Sequence, residues 1–204
     1  MRVLSLALLS ALFLAAAVPA ISAAQDGPAA RFLKRKHDQA ERLLRRAPQN
    51  DRDRARRTAQ LDAILGDLLD YRAVSEQALD STWGERSEAE RAEFVTLLRQ
   101  LVERSYQESL QRTLDYQIRW GDEVARGDAV LVTTTARSRR NRRAPEVTIE
   151  YRLKREGDRW VVVDVVTDGV SMVRNYRNQF SRILRRDGWD GLLGRMRTRL
   201  AEGS

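Results

Sequence analysis

The stretch VVDVVTDGVSMVRNYRNQF, Val162 to Phe180, changes its apolar period in the middle. Its first part is a dense β-branched run suited to a buried strand. Asp168-Gly169 interrupts it, and Val170, Val173, Tyr176, Phe180, Ile183 and Leu184 then recur at helical spacing. Upstream, Gly157-Asp158 is a two-residue hairpin signal between Val147–Arg155 and Trp160–Thr167. With that loop, Leu153 is expected opposite Val162, Tyr151 opposite Asp164 and Ile149 opposite Val166. Val147, Ile149, Tyr151 and Leu153 then share an apolar face, and Thr148, Glu150, Arg152 and Lys154 share a polar one. Thr113–Trp120 and Ala129–Ser138 read as two further strands.

A sheet with one apolar face needs a cover, and helical patterns flank the strands. Phe32, Leu33, Ala40, Leu43, Leu44 and Ala47 form one stripe, ended by Pro48-Gln49-Asn50. Leu61, Ile64, Leu65, Leu68 and Leu69 form a second, after the solvated run DRDRARR (Asp51–Arg57). Ser87 and Glu90 make a capping box, in which two side chains satisfy orphan N–H groups reciprocally. Phe94, Leu97, Leu98, Leu101, Val102 and Ser105 continue from it along one helix face. Gly188 stops the helix that follows Gly169, and Leu192, Leu193, Met196 and Leu200 form a short last one. The expected class is α+β, with helices packed on one face of an antiparallel sheet of four strands or slightly more.

The chain opens with Arg2 and an uncharged run from Val3 to Val18, then small residues ending in Ser22-Ala23-Ala24. That is the layout of a secretory signal peptide, expected to be cleaved after Ala24. Residues 25–204 are then one exported domain. No cysteine occurs, which excludes disulfides and thiolate metal sites. The only histidine is His37, so neither a Ser-His-Asp unit nor a histidine metal site can be assembled. No P-loop, GxGxxG or GxSxG motif is present. One enzymatic alternative survives: Asp164, on the expected apolar face, as a general base in an apolar pocket, against a structural role for the same carboxylate.

The net charge is +8, and all basic residues but Lys34, Lys36 and Lys154 are arginine. RSRRNRR (Arg137–Arg143) places five arginines in an expected hairpin loop. Such a cluster suits an anionic membrane surface or an acidic partner. Export and the lack of a nucleic-acid fold signature argue against nucleic acid.

GVSMVRNYRNQF (Gly169–Phe180), preceded by WVVVDVV and followed by Gly188-Trp189-Asp190-Gly191-Leu192, resembles the C-terminal signature of the MlaC or toluene-tolerance family. These are the lipid carriers of the Mla (maintenance of lipid asymmetry) ABC transport system, and the likeness implies a place in the periplasm of a Gram-negative cell. LLDYRAVSEQAL (Leu68–Leu79), Trp83, Glu90-Arg91, Phe94 and Ser105-Tyr106 agree in order and spacing. The likeness spans Leu61 to Leu200. One departure is at Asp80-Ser81, where the family often carries a glycine before its aromatic pair. The resemblance implies an NTF2-like general shape, with an apolar lipid pocket between sheet and helices. It implies a monomeric, non-enzymatic carrier of glycerophospholipid, without a cofactor. Its docking partners would be an inner-membrane Mla ABC complex and an outer-membrane lipoprotein complex. On that reading Ile149, Tyr151, Leu153, Val162 and Val166 are expected as the sheet wall of the pocket. Leu69, Val74, Leu97, Leu101, Val170 and Val173 are expected as its helical wall. A basic scaffold protein without a cavity is the remaining alternative.

Overall fold

The computed structural model describes residues 27–202, so the expected signal peptide, 1–24, lies outside the described residues. Five helices come first: α1 (Pro28–Leu44), α2 (Asp51–Leu68), α3 (Tyr71–Leu79), α4 (Ser81–Gly84) and α5 (Glu88–Thr113). Five strands follow: β1 (Tyr116–Arg126), β2 (Ala129–Ser138), β3 (Val147–Glu156), β4 (Arg159–Thr167) and β5 (Val170–Ser171). The last element, α6 (Met172–Ala201), is broken at Gly188, whose φ of 69° and ψ of −170° suit glycine alone. The strands form one antiparallel meander in chain order, and helices cover one face of it. This is the expected α+β arrangement, with β5 as a fifth, two-residue strand.

Local chemistry explains the element boundaries. The Ser87 N–H donates to Glu90 at 2.7 Å and the Glu90 N–H to Ser87 Oγ at 3.3 Å, the reciprocal pair that starts α5. Gly157-Asp158 turns β3 into β4 with Glu156 opposite Arg159, and Gly157 takes a φ of 58°. Gly27 offers α1 no side-chain cap; instead Glu123 of β1 reaches over and accepts from the Ala30 N–H at 2.8 Å. A carboxylate there complements the positive end of the helix. A Cβ on Gly27 would lie 2.1 Å from that carboxyl carbon, so a larger residue there would push the Glu123 carboxylate out of its place at the helix start.

Two strands depart from the expected pattern, each through a bulge. β1 runs on past Trp120 to Arg126, with a register shift between Trp120 and Glu123 that absorbs Gly121-Asp122. β4 pairs Val162 with Leu153 as expected, then shifts, so that Asp164 faces Arg152, Val165 faces Tyr151 and Thr167 faces Ile149. The expected pairings Tyr151–Asp164 and Ile149–Val166 are therefore corrected by one residue. Side chains alternate with period two, so an extra residue at Val163 exchanges which ones point to each face beyond it.

Packing divides into distinct cores. Val74, Phe94, Leu98, Phe180, Leu192 and Met196 are buried among α3, α5 and both halves of α6. Ala29, Ala30, Leu33, Val132, Leu153 and Val162 form a second cluster between α1 and the sheet. Where α2 gives way to α3, Leu69 bridges Val162 in parallel, and the Asp70 N–H donates to the Val162 carbonyl at 3.0 Å. That contact covers the stretch of β4 edge that β5 is too short to reach.

Candidate functional site

Between the helical core and the sheet lies a cavity of about 750 Å³ with mostly apolar walls. Ile118 and Trp120 of β1, Ile149 and Tyr151 of β3, and Val162 and Val165 of β4 form the sheet side. The cover comes from Leu33 and His37 of α1, Leu65 and Leu68 of α2, Tyr106 of α5 and Tyr176 of α6. Thr167, Val170, Asn175 and Gln179 are the exposed members of the lining, so the opening lies between the β4–β5 turn and the first turns of α6.

The polar groups on this wall are few and restrained. His37 packs edge-on against Trp120, with ring centroids 5.9 Å apart. Lys36 is paired with Asp67 at 2.9 Å. Burial pushes the Tyr106 hydroxyl up to about 12, with Tyr151 as a lesser cause. Burial likewise raises Tyr176 and Tyr151, the latter opposed by a hydrogen bond with Thr134. Desolvation disfavours a phenolate, so these side chains present neutral hydroxyls at neutral pH.

The sequence-derived residues divide into two sets. Leu69, Ile149, Tyr151, Val162 and Val170 line the cavity. Val74, Leu97 and Val173 are instead buried in the helical core, with Leu101 packed against it. Leu153 is buried in the second cluster. Val166, displaced by the bulge, pairs with Ser171 but is not itself part of the lining, and Val165 stands in the position expected of it. The helical wall thus comes from α1, α2 and α6 more than from α3 and α5. The stripes of α1 and α2 were visible as stripes; nothing in their period says which layer they face.

Asp164 is buried but is not part of the cavity wall. It accepts from the Ser171 hydroxyl at 2.6 Å and from the backbone N–H groups of Val165 at 2.9 Å and Val173 at 3.1 Å. Ser171 Oγ in turn accepts from the Arg174 N–H at 3.1 Å. The carboxylate and the hydroxyl together satisfy the free N–H groups at the start of α6. The structural role is the one the geometry supports, with one donor from the neighbouring Val165 N–H on β4 and two from the β5–α6 junction just after Gly169. Among the described residues no group of three or more His, Asp or Glu side chains could hold a metal ion, and no helix is long and apolar enough to cross a membrane.

Comparison with known proteins places this geometry. A solved structure of a phospholipid-binding protein from Ralstonia solanacearum, in complex with a phospholipid, matches with a TM-score of 0.71 and 20% identity. The match covers 86% of this chain and 98% of that one, and at this identity it is a likeness of fold. A search of curated proteins returned no match. The family model described as MlaC protein matches residues 34–198, most of the chain, and the chain therefore belongs to the MlaC family.

Proposed function

We propose that the chain is a periplasmic carrier of glycerophospholipid that shuttles between the inner-membrane Mla ABC complex and the outer-membrane lipoprotein complex, acting as a monomer and without catalysis. The observation that carries this reading is the apolar cavity of about 750 Å³ between sheet and helices, open beside Val170. Family membership and the phospholipid held by the Ralstonia protein of like fold support it. Acyl chains would lie along Leu69, Ile149, Tyr151, Val162 and Val165, with the head group towards the exposed rim at Thr167, Val170 and Gln179. The enzymatic alternative loses its base, because three donors engage the Asp164 carboxylate outside the cavity.

Energetics shape how such a carrier works. At about 0.8 kcal/mol per buried methylene, two chains of roughly 15 methylenes represent on the order of 25 kcal/mol gross. Escape of the lipid through water is then far too slow for transport, so release requires docking on a membrane-bound partner. Lipid transfer between neutral phosphatidylcholine vesicles should be negligible with the carrier alone and appear when the partner complexes are reconstituted. Equal transfer without them contradicts the reading.

A further inference from the structure

The sheet end that carries the cavity opening also carries the arginine-rich loop between β2 and β3. The Asp168 N–H donates to the Thr148 carbonyl at 2.9 Å and the Thr148 N–H to the Asp168 carboxylate at 2.9 Å, which sets the β4–β5 turn beside the base of that loop. The loop itself is pinned down. The Arg139 N–H donates to the Asp115 carbonyl at 2.7 Å, and its Nε to the Tyr116 carbonyl at 3.1 Å. Asn141 N–H donates to Ser138 Oγ, and Arg143 N–H to Asn141 Oδ1, both at 3.0 Å.

Charge at this end is strongly one-sided. Asp115 engages Arg140 at 2.7 Å, Glu41 lies between Arg45 and Arg139 at 2.7 and 3.9 Å, and Glu146 lies between Arg119 and Arg137. Three carboxylates thus serve five arginines, and the exposed Asp168 of the β4–β5 turn is a fourth acidic group at this end. Arg142 and Arg143, at the exposed tip, have no carboxylate partner among the described residues. Two large apolar side chains are exposed at the same end: Tyr116 at 37% and Val170 at 63%. Guanidinium groups pair with phosphates, and exposed tyrosine and valine suit the zone just beneath the head groups.

We infer that the loop Ser138–Glu146, with Tyr116 and Val170, is a contact surface for an anionic phospholipid bilayer, holding the cavity opening towards the membrane. An acidic protein face would use the arginines but leaves the exposed Tyr116 and Val170 without a role. The contact does not require cargo, so it stands or falls separately from the carrier reading.

The test is flotation of the full chain with vesicles of phosphatidylcholine alone or mixed with phosphatidylglycerol. Each arginine near an anionic surface contributes about fivefold in affinity, so R142A/R143A should lose about 25-fold, with its melting temperature unchanged. Binding of the parent protein should also weaken steeply as salt is raised. R182A/R185A, the same charge change further along α6, should stay within about twofold of the parent protein. Equal binding to neutral vesicles overturns the proposal, as does an unchanged R142A/R143A. An equal loss in R182A/R185A overturns the placement on the loop. Failure to float on any vesicle while an acidic protein binds through Arg142 and Arg143 assigns the loop to a protein partner instead.

Discussion

The Ser171 hydroxyl donates to the Asp164 carboxylate across 2.6 Å, and both side chains are buried where β4 passes into α6. This pair fixes the helix that covers the cavity onto the strand that forms its floor. Asp164→Ala leaves the Ser171 hydroxyl and the Val173 N–H without their acceptor. The expected loss is about 3 kcal/mol of unfolding free energy, read from urea titration. Asp164→Asn keeps the Oδ1 position and should cost less. A loss below about 1 kcal/mol for the alanine variant contradicts the capping role.

Filling the cavity and opening the core should have opposite consequences. Val165→Trp projects an indole into the cavity and should lower the lipid retained per folded molecule, with little change in unfolding free energy. Leu98→Ala, in the fully packed helical core, should cost about 3 kcal/mol while lipid per folded molecule is unchanged. Lipid quantified by phosphorus assay beside urea titration separates the two. The same lipid loss in both variants contradicts the assignment of the wall.

Asp80 adopts a φ of 52° and a ψ of −126°, a conformation that favours glycine. Its contact with Arg177, at 3.9 Å and largely exposed, offsets little. Asp80→Gly should therefore raise the unfolding free energy by about 1 kcal/mol. A destabilised variant in thermal denaturation counts against backbone strain at this site.

Tyr106 links the cavity to alkaline stability. Burial raises its hydroxyl from the ordinary phenol range to about 12 in the folded protein. A folded pKa above the unfolded one means that this contribution is complete below about pH 10 and is lost as pH rises through about 12. Unfolding free energy should fall across that interval, and Tyr106→Phe should flatten the fall. A parallel fall in the phenylalanine variant assigns the effect to other groups.

Much of this arrangement is legible in the chain because it rests on short-range chemistry. Ser87 and Glu90 announce the start of α5, Gly157-Asp158 the hairpin, and Gly188 the break in α6. The bulge at Val163 leaves no such mark, since any residue of a valine-rich strand can be the extra one. Its effect is large: Val165 lines the cavity and Val166 does not. Leu97 and Leu65 belong to equally clear helical stripes, yet one faces the closed core and the other the cavity. That difference is set by the layering of α2, α5 and α6, a long-range property that periodicity does not encode.

The central claim is that the space between sheet and helices holds a diacyl glycerophospholipid. Organic extraction of the purified protein, followed by mass spectrometry of the extract, tests it most directly. The account predicts diacyl glycerophospholipid co-purifying near one molecule per chain, and markedly less with Val165→Trp. An extract without diacyl lipid, from protein purified without detergent, contradicts it.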